Sequence, residues 1–323
     1  MDVLTEAVAS MRTGRPASVR TDGRAPWALR LPAVEGAGFH VVLEGGCWLL
    51  SPRDAASHRE PVRLETGDVV FLRDGRAHIL ADDPSTPPVD GNSASFRPGS
   101  PIGTLSLGGD GPRTGLLCGA YHLDQGRPHP LVRQLPAMIR LTTRDGRHPE
   151  LSAAVRLLGA EVGDARPGAD GIVPSLIDAL LLYILRAWLE ECPKESAGGW
   201  AAALGDPAVA PALTAVHEAP EAAWTVESLA ERSGLSRAAF ARRFTTLVGE
   251  PPVAYLTRWR MTVAGRLLRE SDAPLAVVAT RSGYGSEFAF AKAFKRAYGQ
   301  APGGYRRAAR GRGDGPGSVP RSA

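Results

Sequence analysis

Cysteine is scarce in this chain. Cys47, Cys118 and Cys192 are the only three in 323 residues, too few and too scattered for a disulfide framework. They are also too dispersed for a Cys-rich zinc module, which sets aside a DNA-repair methyl acceptor. The opening residues, MDVLTEAVAS, lack the basic start and apolar core of a signal peptide, so the expected compartment is the reducing cytoplasm. No apolar run is free of charge for long enough to read as a membrane span. The most apolar stretch, Ile172 to Leu189, contains Asp178 and Arg186 and is expected to be a buried or dimerising helix, with no membrane as partner. The Asp, His and Ser residues stand in no nucleophile-elbow, Walker or Rossmann context, so the chain is not expected to be an enzyme.

What is present is a duplication. Ser236, Phe240, Phe244, Gly249 and Tyr255 recur fifty residues later as Ser286, Phe290, Phe294, Gly299 and Tyr305. Ala230, Arg232, Ser233 and Gly234 recur forty-nine later as Ala279, Arg281, Ser282 and Gly283. The one-residue slip falls where the first copy reads Gly-Leu-Ser and the second Gly-Tyr-Gly-Ser. A slip inside a turn, with both flanking helices in phase, marks two copies of one helix-turn-helix unit.

Each copy reads as a helix, a glycine turn and a second helix. In the first, a helix near Val226 to Arg232 is followed by Gly234, which suits a sharp turn, and by Ser236 as N-cap. The second helix, Arg237 to Val248, buries Phe240 and Phe244 at i, i+4 and turns Arg237, Ala238, Ala239, Arg242 and Arg243 outward. In the second copy Ser286 is the cap, and Glu287, Ala289, Lys292, Lys295 and Arg296 face outward. Gly249 and Gly299 end the second helices, with Pro251 and Pro302 just beyond.

Charge separates along the chain. Residues 205–310 hold 15 Lys and Arg against 9 Asp and Glu, a net +6. Residues 1–204 carry −3 and residues 311–323 carry +1, consistent with the chain's +4. A basic region beside a mildly acidic one is the footprint of a phosphate-binding module.

The stretch from about Trp224 to Arg307 closely resembles the DNA-binding domain of AraC-type transcription regulators. The residues that carry the resemblance are VESLAERSGLSRAAFARRF, PPVAYLTRWRMTVAGRLL and AVVATRSGYGSEFAFAKAFKRAYGQAPGGYRR. The resemblance implies two helix-turn-helix units joined by one long helix, here about Val253 to Arg269. It also implies two recognition helices in adjacent major grooves of double-stranded DNA, one helical turn apart. Arg242 and Lys292 occupy matching outward positions where such proteins place base or phosphate contacts. Arg237, Arg243, Lys295 and Arg296 are candidates for phosphate contacts, and Ala238 and Ala239 suit a thymine methyl.

Residues 15 to about 145 are strand-like. The runs WALRLP, GFHVVLEG, CWLLSP, PVRLETGDVVFLRDG and AHILADD, then 102–107 and 114–122, are short, apolar and separated by turn residues. A mobile loop is expected from Asp82 to Gly103. Gly67, Asp68, Gly75 and His78 in GDVVFLRDGRAH resemble the second motif of cupins, small jelly-roll barrels. Arg73 replaces the usual Pro there, and Asp82 stands where Asn is common. The first cupin motif is missing; its region offers only His40 and Glu44. With GFHVVLEGGCWLL and LLCGAYHLD, the segment resembles the cupin-type sensor found ahead of AraC-type DNA-binding domains. His40, His78, Cys118 and His122 form the candidate metal or redox set, and a metal ion is the candidate cofactor. Cys47 and Cys118 form a candidate redox pair.

Helices are expected at Leu131 to Ile139, Leu151 to Val162 and Pro174 to Glu191, with Cys192, Pro193 and Gly198–Gly199 opening the next link. The resulting architecture has two domains. A cupin-like β-barrel or jelly roll at 1–145 is followed by a helical, dimerising region at 146–204. An all-α double helix-turn-helix domain then spans 205–310, and a disordered tail 311–323. The expected function is a sequence-specific DNA-binding regulator, a homodimer whose barrel senses a small molecule, metal or oxidant. RNA polymerase is a candidate partner. The alternative is a metal-dependent cupin enzyme with an accessory DNA-binding domain.

Overall fold

A computed structural model describes residues 2–12, 16–34, 36–51, 60–91, 102–123, 129–163, 167–191 and 199–313. The chain divides into two compact units, one built on sheets and one all-helical, and passes between them four times. Residues 12–125 and 135–191 make the sheet unit. Residues 1–11, 126–134 and 192–323 make the helical one.

The sheet unit holds a six-stranded sheet in the order β11-β6-β3-β10-β1-β9 and a five-stranded sheet in the order β5-β4-β7-β2-β8. The first contains β1 (Ala17–Arg24), β3 (Ala37–Glu44), β6 (Asp68–Leu72), β9 (Ile102–Gly108), β10 (Arg113–Tyr121) and β11 (Met138–Thr142). The second contains β2 (Ala28–Leu31), β4 (Gly46–Leu50), β5 (Val62–Glu65), β7 (His78–Ala81) and β8 (Val89–Asp90). Both sheets send alternate residues into one core: Val42, Val70, Leu72, Leu116 and Cys118 from the first, Leu29, Cys47, Leu49, Leu64 and Leu80 from the second. The six-stranded sheet is covered on its other face too. There α3 (Pro149–Gly163) packs on β3, and α4 (Ala169–Glu191) packs on α3 and β11. Tyr121 Oη donates to the Ile177 carbonyl at 2.7 Å. Burial on both faces explains why β6 is buried at all five positions and reads as a continuous apolar run.

Asp68, the acidic residue of the cupin-like motif, is fully buried and meets Arg140 and Arg144, each at 3.0 Å. It also accepts from the Glu65 amide at 3.1 Å. It therefore ties the turn before β6 to β11 and the residues after it.

The helical unit contains α1 (Val3–Met11), α2 (Pro130–Gln134), α5 (Trp200–Gly205), α6 (Ala210–Glu218) and α7 (Val226–Arg232). It continues through α8 (Arg237–Val248), α9 (Pro252–Glu270), α10 (Leu275–Arg281), α11 (Glu287–Tyr298) and α12 (Pro302–Gly313). Helix α1 packs on α6 and α9, and Glu6 pairs with Arg266 at 3.2 Å. Helix α2 packs on α5, where the Gln134 side chain accepts from the Trp200 amide.

Several expectations change. The helix expected at Leu131 to Ile139 stops at Gln134, and Met138–Thr142 pairs with β6 instead. The Leu-Pro at 135–136 interrupts the helical pattern there, because the residue before a proline is driven toward extended backbone. Residues 149–191 belong to the sheet unit. Strand β1, with its polar run ASVRTDGR, lies between β10 and β9. In the expected loop, β8 pairs with β2, while 92–101 lies outside the described residues. So do Cys192, Pro193 and Gly198. Helix α12 takes in the first three residues of the expected tail, and the remainder, 314–323, also lies outside.

Candidate nucleic-acid interface

The sequence repeat is a repeat of geometry. Gly234 and Gly283 take φ of 63° and 74°, the left-handed values that let the second helix of each unit turn sharply from the first. In both turns the residue after the glycine donates back to the matching alanine: Leu235 to Ala230 at 3.1 Å, Tyr284 to Ala279 at 2.9 Å. Ser236 Oγ accepts from the Ala239 amide at 3.3 Å, and Ser286 Oγ from the Ala289 amide at 3.2 Å. The aromatic cores superimpose number by number. Phe240–Phe244 and Phe290–Phe294 have ring centroids 5.5 and 5.6 Å apart. Phe244–Tyr255 and Phe294–Tyr305 cross at 73° and 76°. Helix α9 joins the two units and carries Arg260, which donates to the Pro220 and Ala222 carbonyls ahead of α7. Its guanidinium also lies against Gly283, where an added Cβ would stand 2.7 Å from it. The connecting helix thereby braces both halves.

On α8, Arg237, Ala238, Arg242 and Arg243 are exposed and Ala239 is half-buried. On α11, Glu287, Ala289, Lys292, Lys295 and Arg296 are exposed, as is the cap Ser286. The cations differ in their commitments. Arg243 holds Asp206 through hydrogen bonds of 2.6 to 3.1 Å, so it fastens the α5–α6 turn to α8. Arg237 pairs with Glu227 at 2.8 Å in full view of solvent, a contact worth at most about 1 kcal/mol. Arg242 lines an open hollow of about 510 Å³ with Leu235, Ala239, Thr246 and Leu247. Neither Arg242 nor Lys292 has an ion-pair partner among the described residues. Sequence reasoning missed Phe288, which is 80% exposed near the start of α11. The signal was there: Phe288 is the fifty-residue partner of Ala238.

In the sheet unit, His40 and His78 come together with Nε2 to Nε2 at 2.7 Å, both buried. His78 Nδ1 donates to the Arg76 carbonyl at 2.8 Å, so its Nε2 carries a lone pair and His40 Nε2–H is the donor. His40 Nδ1 is then a buried acceptor with no partner among the described residues. Burial holds both imidazoles below their ordinary 6.5, His40 far below, where His78 adds to the effect. Cys118 pairs with His40 across the β10–β3 ladder, but His122 is exposed and does not join them. Among the described residues no three His, Cys, Asp or Glu side chains gather as metal ligands. With their Nε2 atoms in hydrogen-bond contact, His40 and His78 are joined by one shared proton. With no third ligand gathered beside them, the expected four-residue set is not assembled among the described residues. Cys47 and Cys118 are buried free thiols, both pushed up to about 12 by burial. Neither is a thiolate at neutral pH, as a reactive cysteine must be.

A two-sheet barrel unit and a helical unit with two matched helix-turn-helix motifs define a DNA-binding protein with an attached cupin-like domain. A family model described as Cupin matches residues 2–190, and one described as Helix-turn-helix domain matches 229–308. A Streptomyces lividans protein described as an AraC-like transcription regulator is 34% identical over 307 residues, covering 95% of this chain and 98% of that one. The HTH-type transcriptional regulator AlkR of Acinetobacter baylyi is 32% identical over 292 residues, covering 89% and 92%. The crystal structure of the AdpA DNA-binding domain with target DNA is 38% identical over 34% of this chain and 99% of that one, with a TM-score of 0.32. The chain belongs to the AraC family of transcription regulators.

Proposed function

We propose that this regulator reads DNA through the outward faces of α8 and α11 in two successive major grooves, under control of its cupin-like unit. The observation that carries this is the repeated geometry with an uncommitted cation at the matching positions Arg242 and Lys292. Arg242 and Lys292 act as base or phosphate readers, with Ala238, Ala239 and Ala289 allowing close approach and Ser286 and Glu287 at the mouth of the second helix. Arg237, Lys295 and Arg296 meet phosphates. Arg243 acts by holding Asp206.

The cupin-like unit senses the effector, a small molecule, metal or oxidant. The buried thiols of Cys47 and Cys118, both pushed up by burial, favour a small molecule over direct thiol chemistry at these two positions. Strands β1, β10 and β11 each lead along the chain into or out of a segment of the helical unit, so a change in the six-stranded sheet can act on α1 and α2. Such a link would make effector and DNA binding reciprocal. The protein works in the cytoplasm as a homodimer through α4, where Ile172 is 44% exposed and begins a partly exposed stripe with Leu176, Ala179 and Tyr183.

Arg242→Ala is expected to weaken operator binding by about 1–3 kcal/mol if Arg242 reads a base, and to relax preference at one position. Lys295→Ala should instead lower affinity for all sequences and reduce the salt slope by about one. Fluorescence anisotropy across salt concentrations measures both. Unchanged affinity in Arg242→Ala at every salt would remove Arg242 from the reading surface.

A further inference from the structure

Phe288 is the second residue of α11 and is 80% exposed, while Phe290 and Phe294 on the same helix are fully buried. A ring left in water forgoes a hydrophobic gain that its neighbours collect. Helical spacing places Phe288, Lys292 and Lys295 on one stripe at i, i+4 and i+7, directly opposite Phe290 and Ala297. The ring therefore stands at the centre of the outward face and at its N-terminal end. Recognition helices address base edges with their N-terminal residues. Around it on the exposed side of α11 stand Lys292, Lys295 and Arg296, with Glu287 beside it at the helix start, a net cationic rim that suits a polyanion better than an apolar protein partner. The first unit offers only Ala238 at the equivalent position, also exposed.

We propose that Phe288 is a specificity-determining residue that takes the 5-methyl group of a thymine in the second groove by apolar contact. Of the four bases only thymine presents a methyl in the major groove, and phenylalanine, which carries no hydrogen-bonding group, discriminates bases there by apolar contact. The two half-contacts are then unequal: an apolar ring beside lysine in the second groove, a small alanine beside Arg242 in the first. This rests on the reading that α11 enters a major groove, and it assigns the chemistry that reading leaves open.

The test uses the full-length protein. A duplex is selected from a randomised pool, and each of its thymines is replaced singly by deoxyuridine, which lacks only the methyl group. Anisotropy titrations at fixed salt then compare wild type, Phe288→Ala and Phe288→Leu. At one thymine of the second half-site, methyl removal should weaken wild-type binding roughly three- to tenfold and leave Phe288→Ala unaffected. Phe288→Leu should recover part of the methyl effect. The proposal is overturned if the methyl effects are the same in wild type and Phe288→Ala, or if no thymine methyl matters. Selection of a duplex with only one protected groove would instead overturn the placement of α11.

Discussion

Acidification below about pH 6 is expected to destabilise both units, the helical one more steeply, before carboxylate protonation contributes much. Four histidines are responsible: His40 and His78 in the sheet unit, His129 and His217 in the helical unit. All four are buried and all are held below the ordinary 6.5, chiefly by burial. His217 falls to about 3, with the Arg258 guanidinium adding to the effect of burial. His129 lies among Trp200, Tyr255, His217 and Trp259 with ring centroids 4.6 to 6.5 Å away. Its Nδ1 accepts from the Leu131 amide, which leaves Nε2–H buried with no acceptor for it among the described residues.

The folded state keeps these rings neutral, whereas the unfolded chain protonates them from 6.5 downward. Stability is therefore intact above that value and is lost as pH falls toward each lowered value. Each histidine costs about 1.4 kcal/mol per pH unit in that window, so two per unit cost about 3. In the helical unit, where His129 lies well below the ordinary value and His217 falls to about 3, two pH units of acid then consume about 6 kcal/mol. That is comparable to the total of about 5–15 kcal/mol that holds a domain. The sheet unit, where His78 is lowered less than His40, loses less. Circular dichroism follows the loss, and tryptophan fluorescence reports the helical unit through Trp200 and Trp259 and the sheet unit through Trp27 and Trp48. Replacing His40 and His78 by Gln should flatten the sheet unit's response alone. Urea-unfolding midpoints that stay level between about pH 7 and pH 5 would contradict the account.

The helical half was legible because its signals are local. Caps, turn glycines and i, i+4 aromatics act within a few residues, and helices α7 and α8 begin and end where those signals place them. The sheet half was legible wherever a strand is apolar. Strand β1 escaped because its polar residues gain their place from β10 and β9, partners about eighty residues or more away in the chain. The cupin-like motif located His78, yet nothing local could tell that His40 meets it while His122 turns to solvent. Likewise Arg243 looks free in the sequence, since Asp206 lies thirty-seven positions earlier. Phe288 was passed over because aromatic residues at helical spacing are normally core, and its two neighbours are.

Phe294→Ala should disable the second reader and leave the first at work. The ring is fully buried, stacks on Tyr298 at 4.4 Å and meets Phe290 and Tyr305 at 5.6 and 5.3 Å. Its truncation is expected to cost about 3–5 kcal/mol, since a Phe-sized cavity in a close-packed core is only partly refilled. The loss falls on the cluster of Met261, Leu268, Val278, Ala279, Phe290 and Phe294, which positions α10 and α11 against the latter part of α9. The first unit has its own core in Phe240, Phe244 and Tyr255. Affinity for the selected operator should therefore drop to that for a duplex whose second half-site is scrambled, while scrambling the first half-site still weakens binding further. Phe244→Ala should behave differently. Phe244 packs on Tyr255, which hydrogen-bonds His217, and His217 stacks on Trp259 at 3.9 Å, so that cavity opens into the centre that also holds His129 and Trp200. Operator scrambling in both variants separates the two cases. If Phe294→Ala remains as sensitive to the second half-site as wild type, the two readers do not have separate cores.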